Sequence, residues 1–206
     1  MTTHLVISLN IYSLHNADLF QALRYAAFQT VSIVTTTGFG TDDFDTYPTL
    51  SKLILVCLMF VGGCAGSTAG GMKISRLMVL FKVAYQEIYL TFRPQVRMSV
   101  RIGQNVVGQD IARSILVFGF IFFMFFAVGS LFMTSFDLDL ATATTAVIAC
   151  LGNIGPGLSQ VGPTHTYAAL PNVAKIFLSL LYVTWAFRAD HTSGALITRI
   201  LEKDHE

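Results

Sequence analysis

Thr35 to Asp45, TTTGFGTDDFD, sets three hydroxyl residues before two glycines and three carboxylates. Main-chain carbonyls aimed at one axis replace the water shell of a cation, and glycine lets the backbone take the conformations that aim them, which residues with a Cβ resist. Gly38 and Gly40, among Thr36, Thr37 and Phe39, have that placement, and GNIGPG, with Gly152, Asn153, Ile154, Gly155 and Gly157, offers the same chemistry a second time. Asp42, Asp43 and Asp45 follow the first stretch. Three carboxylates beside a pore mouth concentrate cations, though a charged loop is also an ordinary solvated face. A third run, Gly62, Gly63, Cys64, Ala65, Gly66, Ser67, Thr68, Ala69, Gly70 and Gly71, holds five glycines in ten positions. Each glycine costs a helix about 1 kcal/mol relative to alanine, so the chain is expected to leave the helix here; close helix packing through small residues is the alternative. A phosphate-binding loop does not fit, because Met72 separates Gly71 from Lys73.

Elements must hold these stretches in place. Of 206 residues 53% are apolar and 12% charged, and the mean hydropathy is +0.62, the composition of a bilayer protein. Ala22 to Val34 reads as a helix about 20 Å long at 1.5 Å per residue, able to enter a hydrocarbon core of about 30 Å but not to cross it. That length suits a re-entrant pore helix. Leu5 to Leu14 is apolar but too short to span, and reads as the end of a helix; Pro48 marks the start of another, continued by Leu50 to Gly62. Ile74 to Leu90 is helix-like and stops before Pro94, and Ser114 to Phe136 is an uncharged run long enough to span. After a turn at Asp137 to Asp139, Leu140 to Leu151 is again too short, breaks at GNIGPG, and is followed by a loop, Leu158 to Pro171, and a last helix, Val173 to Phe187.

Charge sets the orientation. Residues 73–113 carry seven basic side chains (Lys73, Arg76, Lys82, Arg93, Arg97, Arg101, Arg113) against Glu87 and Asp110, which the positive-inside rule assigns to the cytoplasm. The stretch from Gly40 to Lys52 then opens outside. The chain divides into a unit at 1–72 (pore helix 22–34, filter 35–41, broken second helix), a cytoplasmic connector at 73–113, a second unit at 114–187 (helix 114–136, pore helix 140–151, filter 152–157, last helix from 173) and a polar tail at 188–206. The two units repeat in parallel, with Gly38 set against Gly152, as loops converging on one axis require. The fold expected is an all-α membrane protein of K⁺-channel-like helix, pore helix, filter and helix repeats. Five scattered histidines, three cysteines (Cys57, Cys64, Cys150) in apolar or small-residue stretches, and no basic face with interleaved aromatics leave no enzyme, metal-cluster or nucleic-acid reading to develop. Met1 to Leu14 has no basic start or cleavage site of a signal peptide.

VSIVTTTGFGTDDFDTYP, GGCAGSTAGGMKISR and GNIGPGL resemble the third filter, the mid-membrane gate loop and the fourth filter of the Trk-type potassium uptake proteins, the superfamily that includes TrkH and KtrB. The resemblance runs from about Ala22 to Leu181. It implies four fused channel-like units around one pore in a multi-pass protein of the bacterial inner (plasma) membrane, of which this chain holds the third and fourth. It also implies a TrkA-like nucleotide-binding subunit on the cytoplasmic face, a homodimer of the complete protein, and no cofactor beyond the transported K⁺. On that resemblance Thr36, Thr37, Gly38, Phe39, Gly40, Gly152, Asn153, Ile154 and Gly155 line the filter, and Gly62 to Gly71 obstruct the pore below it.

The tail departs from the pattern. Codons permitted for Tyr182 to Ala189 read one base later as MLLGRLE, a segment family members carry there, so a frame change near Tyr182 and a truncated product are expected, along with an inactive half-ring. A secondary transporter with discontinuous helices and a non-functional remnant are the other readings; an enzyme is the least favoured.

Overall fold

The structure, a computed structural model, describes residues 2–15, 18–64, 67, 69–93, 101–102 and 105–186. Its helices are α1 (Thr2–His15), α2 (Leu19–Val34), α3 (Thr49–Met59), α4 (Ile74–Phe92), α5 (Gln109–Thr134), α6 (Leu140–Leu151) and α7 (Asn172–Ala186). α1 packs on α2 and α3, α5 on α4 and α6, and α3 touches α6. Apart from these helices and short 3₁₀ turns, the described chain holds a two-residue antiparallel pairing, Arg101–Ile102 with Asn105–Val106, in the connector. The tail at 188–206, with the frame change expected near its start, lies outside the described residues, as do Pro94 and Phe187.

α6 has the expected extent, while α2 begins earlier than expected and α3 stops at Met59 rather than Gly62; the helix ends have physical causes. α6 spans the expected Leu140–Leu151; it begins where the Asp139 carboxylate accepts the Thr142 amide at 3.1 Å. α3 starts directly after Pro48, which has no amide proton to leave unpaired. α2 starts at Leu19, three residues before the expected Ala22, because the Asp18 carbonyl already accepts the Ala22 amide. α5 starts at Gln109 rather than Ser114. Gly108 enters it in an extended conformation, and Asp110 in its first turn suits the positive end of the helix dipole.

α5 is the one described helix long and apolar enough to cross a membrane by length and composition, while α3, α6 and α7 are shorter and apolar. Its two faces differ. Phe120, Val128 and Leu131 project outward, where a bilayer receives apolar side chains that water would not. Phe118 and Phe122 point inward, where each ring centroid lies 5.0 Å from that of Trp185 on α7, and Phe60, just past α3, packs edge-on to Phe122. One hydrophobic core thereby joins both units, running from Ile7 and Ala26 through Phe44, Leu55 and Met59 to Val147, Ile148, Leu178 and Trp185. The buried hydroxyl of Ser51 on α3 donates to Asn10 Oδ1 on α1 at 2.7 Å, a polar tie within the first unit.

The inner and outer faces of α5 give a direct comparison. Phe122→Ala leaves a cavity against Trp185 and Phe60 and is expected to lower unfolding stability in detergent by about 3 kcal/mol, whereas Phe120→Ala, on a 71% exposed side chain, is expected to leave it within about 0.5 kcal/mol.

Candidate ion filter and associated loop

α2 and α6 deliver their following loops with the same backbone. Thr35 closes α2 at φ −80°, ψ −4°, and Gly152 closes α6 at φ −80°, ψ −8°. Thr36 (φ 57°) and Asn153 (φ 52°) then enter the left-handed region, as do Gly38 (φ 72°) and Gly155 (φ 105°) two residues later. The hydrogen bonds match step for step. The amides of Thr35, Thr36 and Thr37 reach the carbonyls of Val31, Ile33 and Ser32, and those of Gly152, Asn153 and Ile154 reach Ile148, Cys150 and Ala149. The register corrects the expectation that Gly38 matches Gly152: Gly38 matches Gly155, Phe39 matches Pro156 and Gly40 matches Gly157. Sequence alignment of first glycines misled because the second unit places a glycine at the helix end, where the first unit has Thr35.

The two loops lie against each other. A Cβ on Gly38 would overlap the Ile154 carbonyl oxygen and stand 3.1 Å from Pro156 Cδ, so only glycine allows this approach. The run from Gly62 to Gly71 joins them. It leaves the helix after α3, as expected, and folds back so that the Gly62 amide donates to the Met72 carbonyl and the Ile74 amide to Gly63. The amide of Gly70 donates to Thr36 Oγ1 at 3.0 Å, and a Cβ there would strike the Gly152 carbonyl and come within 2.7 Å of Asn153 Cβ. Lys73, 2% exposed, donates from Nζ to the carbonyls of Ser67 and Ala69. Ala65, Gly66 and Thr68 lie outside the described residues.

Hydroxyl groups behind the loops fix them to their helices. Ser32 Oγ donates to the Phe39 carbonyl at 2.6 Å, and Thr37 Oγ1 donates to the Ser32 carbonyl at 3.3 Å. In the second unit Thr145 and Thr142, one helical turn apart on α6, accept the amides of Leu158 (2.9 Å) and Gln160 (3.2 Å). Asp139 anchors this set. Burial opposes its charge, but hydrogen bonds from the hydroxyl and amide of Thr142, with Ser159, more than offset that and hold its carboxyl below the usual range.

The acidic residues after the first loop are tied into the protein. Asp43 accepts the Asp45 amide at 3.0 Å and the Thr164 hydroxyl at 3.2 Å; Asp45 accepts the Ser159 amide at 3.1 Å and lies 3.8 Å from Lys52 Nζ. Asp42 faces Tyr47, whose phenol pKa is raised first by burial and then by that carboxylate. Asp43 and Asp45 thus join the segment after the first loop to the segment after the second, beside an open depression of about 400 Å³ lined by Asp45, Ser159, Gln160, His165, Thr166 and Ala169. Sequence reading found the carboxylates but not the partners Ser159 and Thr164, which lie more than a hundred residues away in the chain. Ser32, Thr142 and Thr145 were missed as well; the spacing of Thr142 and Thr145 on one face of α6 was the available signal.

The sequence model of the TrkH family, described as cation transport protein, matches residues 3–200. The chain belongs to that family. It is similar to the Trk system potassium uptake protein TrkH of Halomonas elongata, 34% identical over 174 residues, covering 84% of this chain and 36% of that one. Against the Trk system potassium uptake protein TrkH of Escherichia coli the figures are 34% over 169 residues, 82% and 34%. The crystal structure of the potassium transporter TrkH from Vibrio parahaemolyticus matches with a TM-score of 0.79 at 32% identity, over 90% of this chain and 39% of that one. The chain therefore spans about a third of the length of these relatives. The expected fold, an all-α membrane protein of K⁺-channel-like repeats, is the fold of this TrkH family member.

The Asp139 anchor has a measurable pH signature. At pH 7 Asp139→Ala is expected to lower stability by about 1 kcal/mol through the lost helix cap. A carboxyl pKa depressed by folding contributes fully above the unfolded value of about 3.9 and loses that contribution as pH falls through the folded value. The gap between the parent and variant unfolding curves is therefore expected to close on acidification below about pH 4.

Proposed function

We propose that this chain supplies two of the four units around a K⁺ pathway in a Trk-type uptake system, as its third and fourth pore units. The observation that carries the reading is the pair of loops, Thr35 to Gly40 and Gly152 to Gly157, which repeat one backbone geometry and meet where Gly38 approaches the Ile154 carbonyl. Loops of this form present main-chain oxygens to a dehydrated monovalent cation. Thr36, Thr37, Gly38, Phe39 and Gly40 form one side of the filter, and Gly152, Asn153, Ile154 and Gly155 the next. The names of the relatives, potassium uptake proteins and a potassium transporter, support K⁺ as the ion.

Gly62 to Gly71 is the gate loop in this reading. It is bonded to Thr36 through the Gly70 amide and seated against Gly152, so a shift of the loop acts on both filter strands at once. Asp42, Asp43 and Asp45 form the outer mouth; the carboxylates of Asp43 and Asp45 hold the two units together while adding negative potential where cations enter. The basic segment 73–113 faces the cytoplasm, where a TrkA-like nucleotide-binding subunit docks on the complete, homodimeric protein in the bacterial inner membrane. Transport proceeds without covalent chemistry and without a cofactor.

Gly38 gives the test. A side chain there takes a left-handed backbone angle that residues with a Cβ resist and pushes on the Ile154 carbonyl. In cells whose K⁺ uptake depends on the protein carrying this chain, Gly38→Ser is expected to lower the K⁺ over Na⁺ preference by at least about tenfold, ~1.4 kcal/mol of discrimination. An unchanged preference with intact uptake removes Gly38 from the filter.

A further inference from the structure

The turns that precede the last helix of each unit repeat one another and differ at one side chain that reaches the loop backbone. In the first unit the 3₁₀ turn Phe44–Thr46 precedes Pro48 and α3; in the second, Tyr167–Ala169 precedes Pro171 and α7. The Tyr47 amide donates to the Phe44 carbonyl at 3.3 Å, and the Leu170 amide to the Tyr167 carbonyl at 3.2 Å. Lys52 Nζ reaches back from α3 to the Asp45 carbonyl, and Lys175 Nζ from α7 to the Ala168 carbonyl, each at 2.7 Å. These matched bonds make Phe44 and Tyr167 equivalent positions. Each turn is pinned by the lysine of its following helix, so an aromatic ring at that position has a fixed base.

The two aromatics differ by one hydroxyl. Phe44 is fully buried and has none. The hydroxyl of Tyr167 donates to the Gly155 carbonyl at 2.6 Å, a short bond for an O–H donor. Burial, with Cys150 beside it, pushes the phenol pKa up, so the group remains a donor at physiological pH. Gly155 has little else to hold its peptide: no side chain, a φ of +105°, and no atom within 4 Å of where a Cβ would stand. Its counterpart Gly38 is held differently, by direct packing on the Ile154 carbonyl and the Pro156 ring. The first loop takes its hydroxyl bond one residue later, from Ser32 to Phe39.

We propose that Tyr167 is a positioning residue of the filter, whose hydroxyl sets the direction of the Gly155 carbonyl and thereby the cation preference of the pathway. The proposal rests on the filter reading above. A carbonyl oxygen that already accepts the phenol is not free to swing toward a smaller ion, so removing the donor makes this strand more compliant and discrimination against Na⁺ weaker. The two filter strands are thus unequal: one is stiffened by packing, the other by a phenol.

Tyr167→Phe is the test, and Phe44 shows that the same turn accommodates a phenylalanine. The sequence has two Gly-Pro pairs, Gly155-Pro156 and Gly162-Pro163, so labelling glycine carbonyls with ¹³C and proline with ¹⁵N gives two resolved solid-state NMR correlations for the chain in lipid. Tyr167→Phe is expected to move the Gly155 carbonyl resonance upfield, as loss of a hydrogen bond does, and leave Gly162 in place. In cells dependent on the protein for K⁺ uptake, the same substitution is expected to lower K⁺ over Na⁺ preference severalfold while uptake continues. A stationary Gly155 resonance overturns the proposal. So does a shifted resonance with unchanged preference, if Gly38→Ser alters preference in the same cells. If neither substitution alters preference, the filter reading fails, and the role of Tyr167 fails with it.

Discussion

Three backbones meet without side chains between them, and the rest of the structure follows from that approach. Gly38 rests on the Ile154 carbonyl, and Gly70 on the Gly152 carbonyl while its amide bonds Thr36. A Cβ at either glycine would occupy the space of a neighbouring carbonyl oxygen. Irregular backbone of this kind at membrane depth is stable only where it is enclosed by protein or lines a wet path. Two short helices, α2 and α6, end at the junction; α3 and α7 start from proline-led turns; and α5 closes the core with Phe118 and Phe122 against Trp185.

The junction is held from behind by short polar side chains. Hydroxyls of Ser32, Thr142 and Thr145 bond to loop backbone, and Asp43 and Asp45 tie one unit to Thr164 and Ser159 of the other. Each such bond is worth about 1 kcal/mol net, so no single one supports the site. Their combined effect is to fix peptide orientation in segments where glycine has removed every other restraint. In the proposed filter, ion preference depends on the aim of carbonyls, so the supports matter as much as the lining.

Much of this was legible in the sequence, and the gaps have physical reasons. Helices too short for a bilayer, glycine clusters after them, and an uncharged run with a Phe-rich stretch announced half-helices and a pore-like repeat. Helix α6 has the boundaries that its apolar run and Asp139 indicated. The register of the repeat was not legible, because matching glycine to glycine ignores the backbone state: Gly152 is an ordinary helix end, and the left-handed position belongs to Gly155. The extra turn of α5 escaped because the sequence reading stopped at the first charge, whereas Asp110 and Arg113 sit comfortably in the helix. The partners of Asp43 and Asp45 are set by how two units pack, which no local pattern encodes.

The chain belongs to the TrkH family and covers about a third of the relatives it resembles, and the approach of Gly38 to Ile154 lies wholly within it. The direct measurement is a ¹³C–¹³C correlation spectrum of the chain in lipid, labelled at glycine Cα and isoleucine carbonyl carbons. The account predicts a short-range contact between Gly38 Cα and the Ile154 carbonyl. A spectrum in which Gly38 shows no correlation to Ile154 would contradict it, because the two loops would then not share one axis.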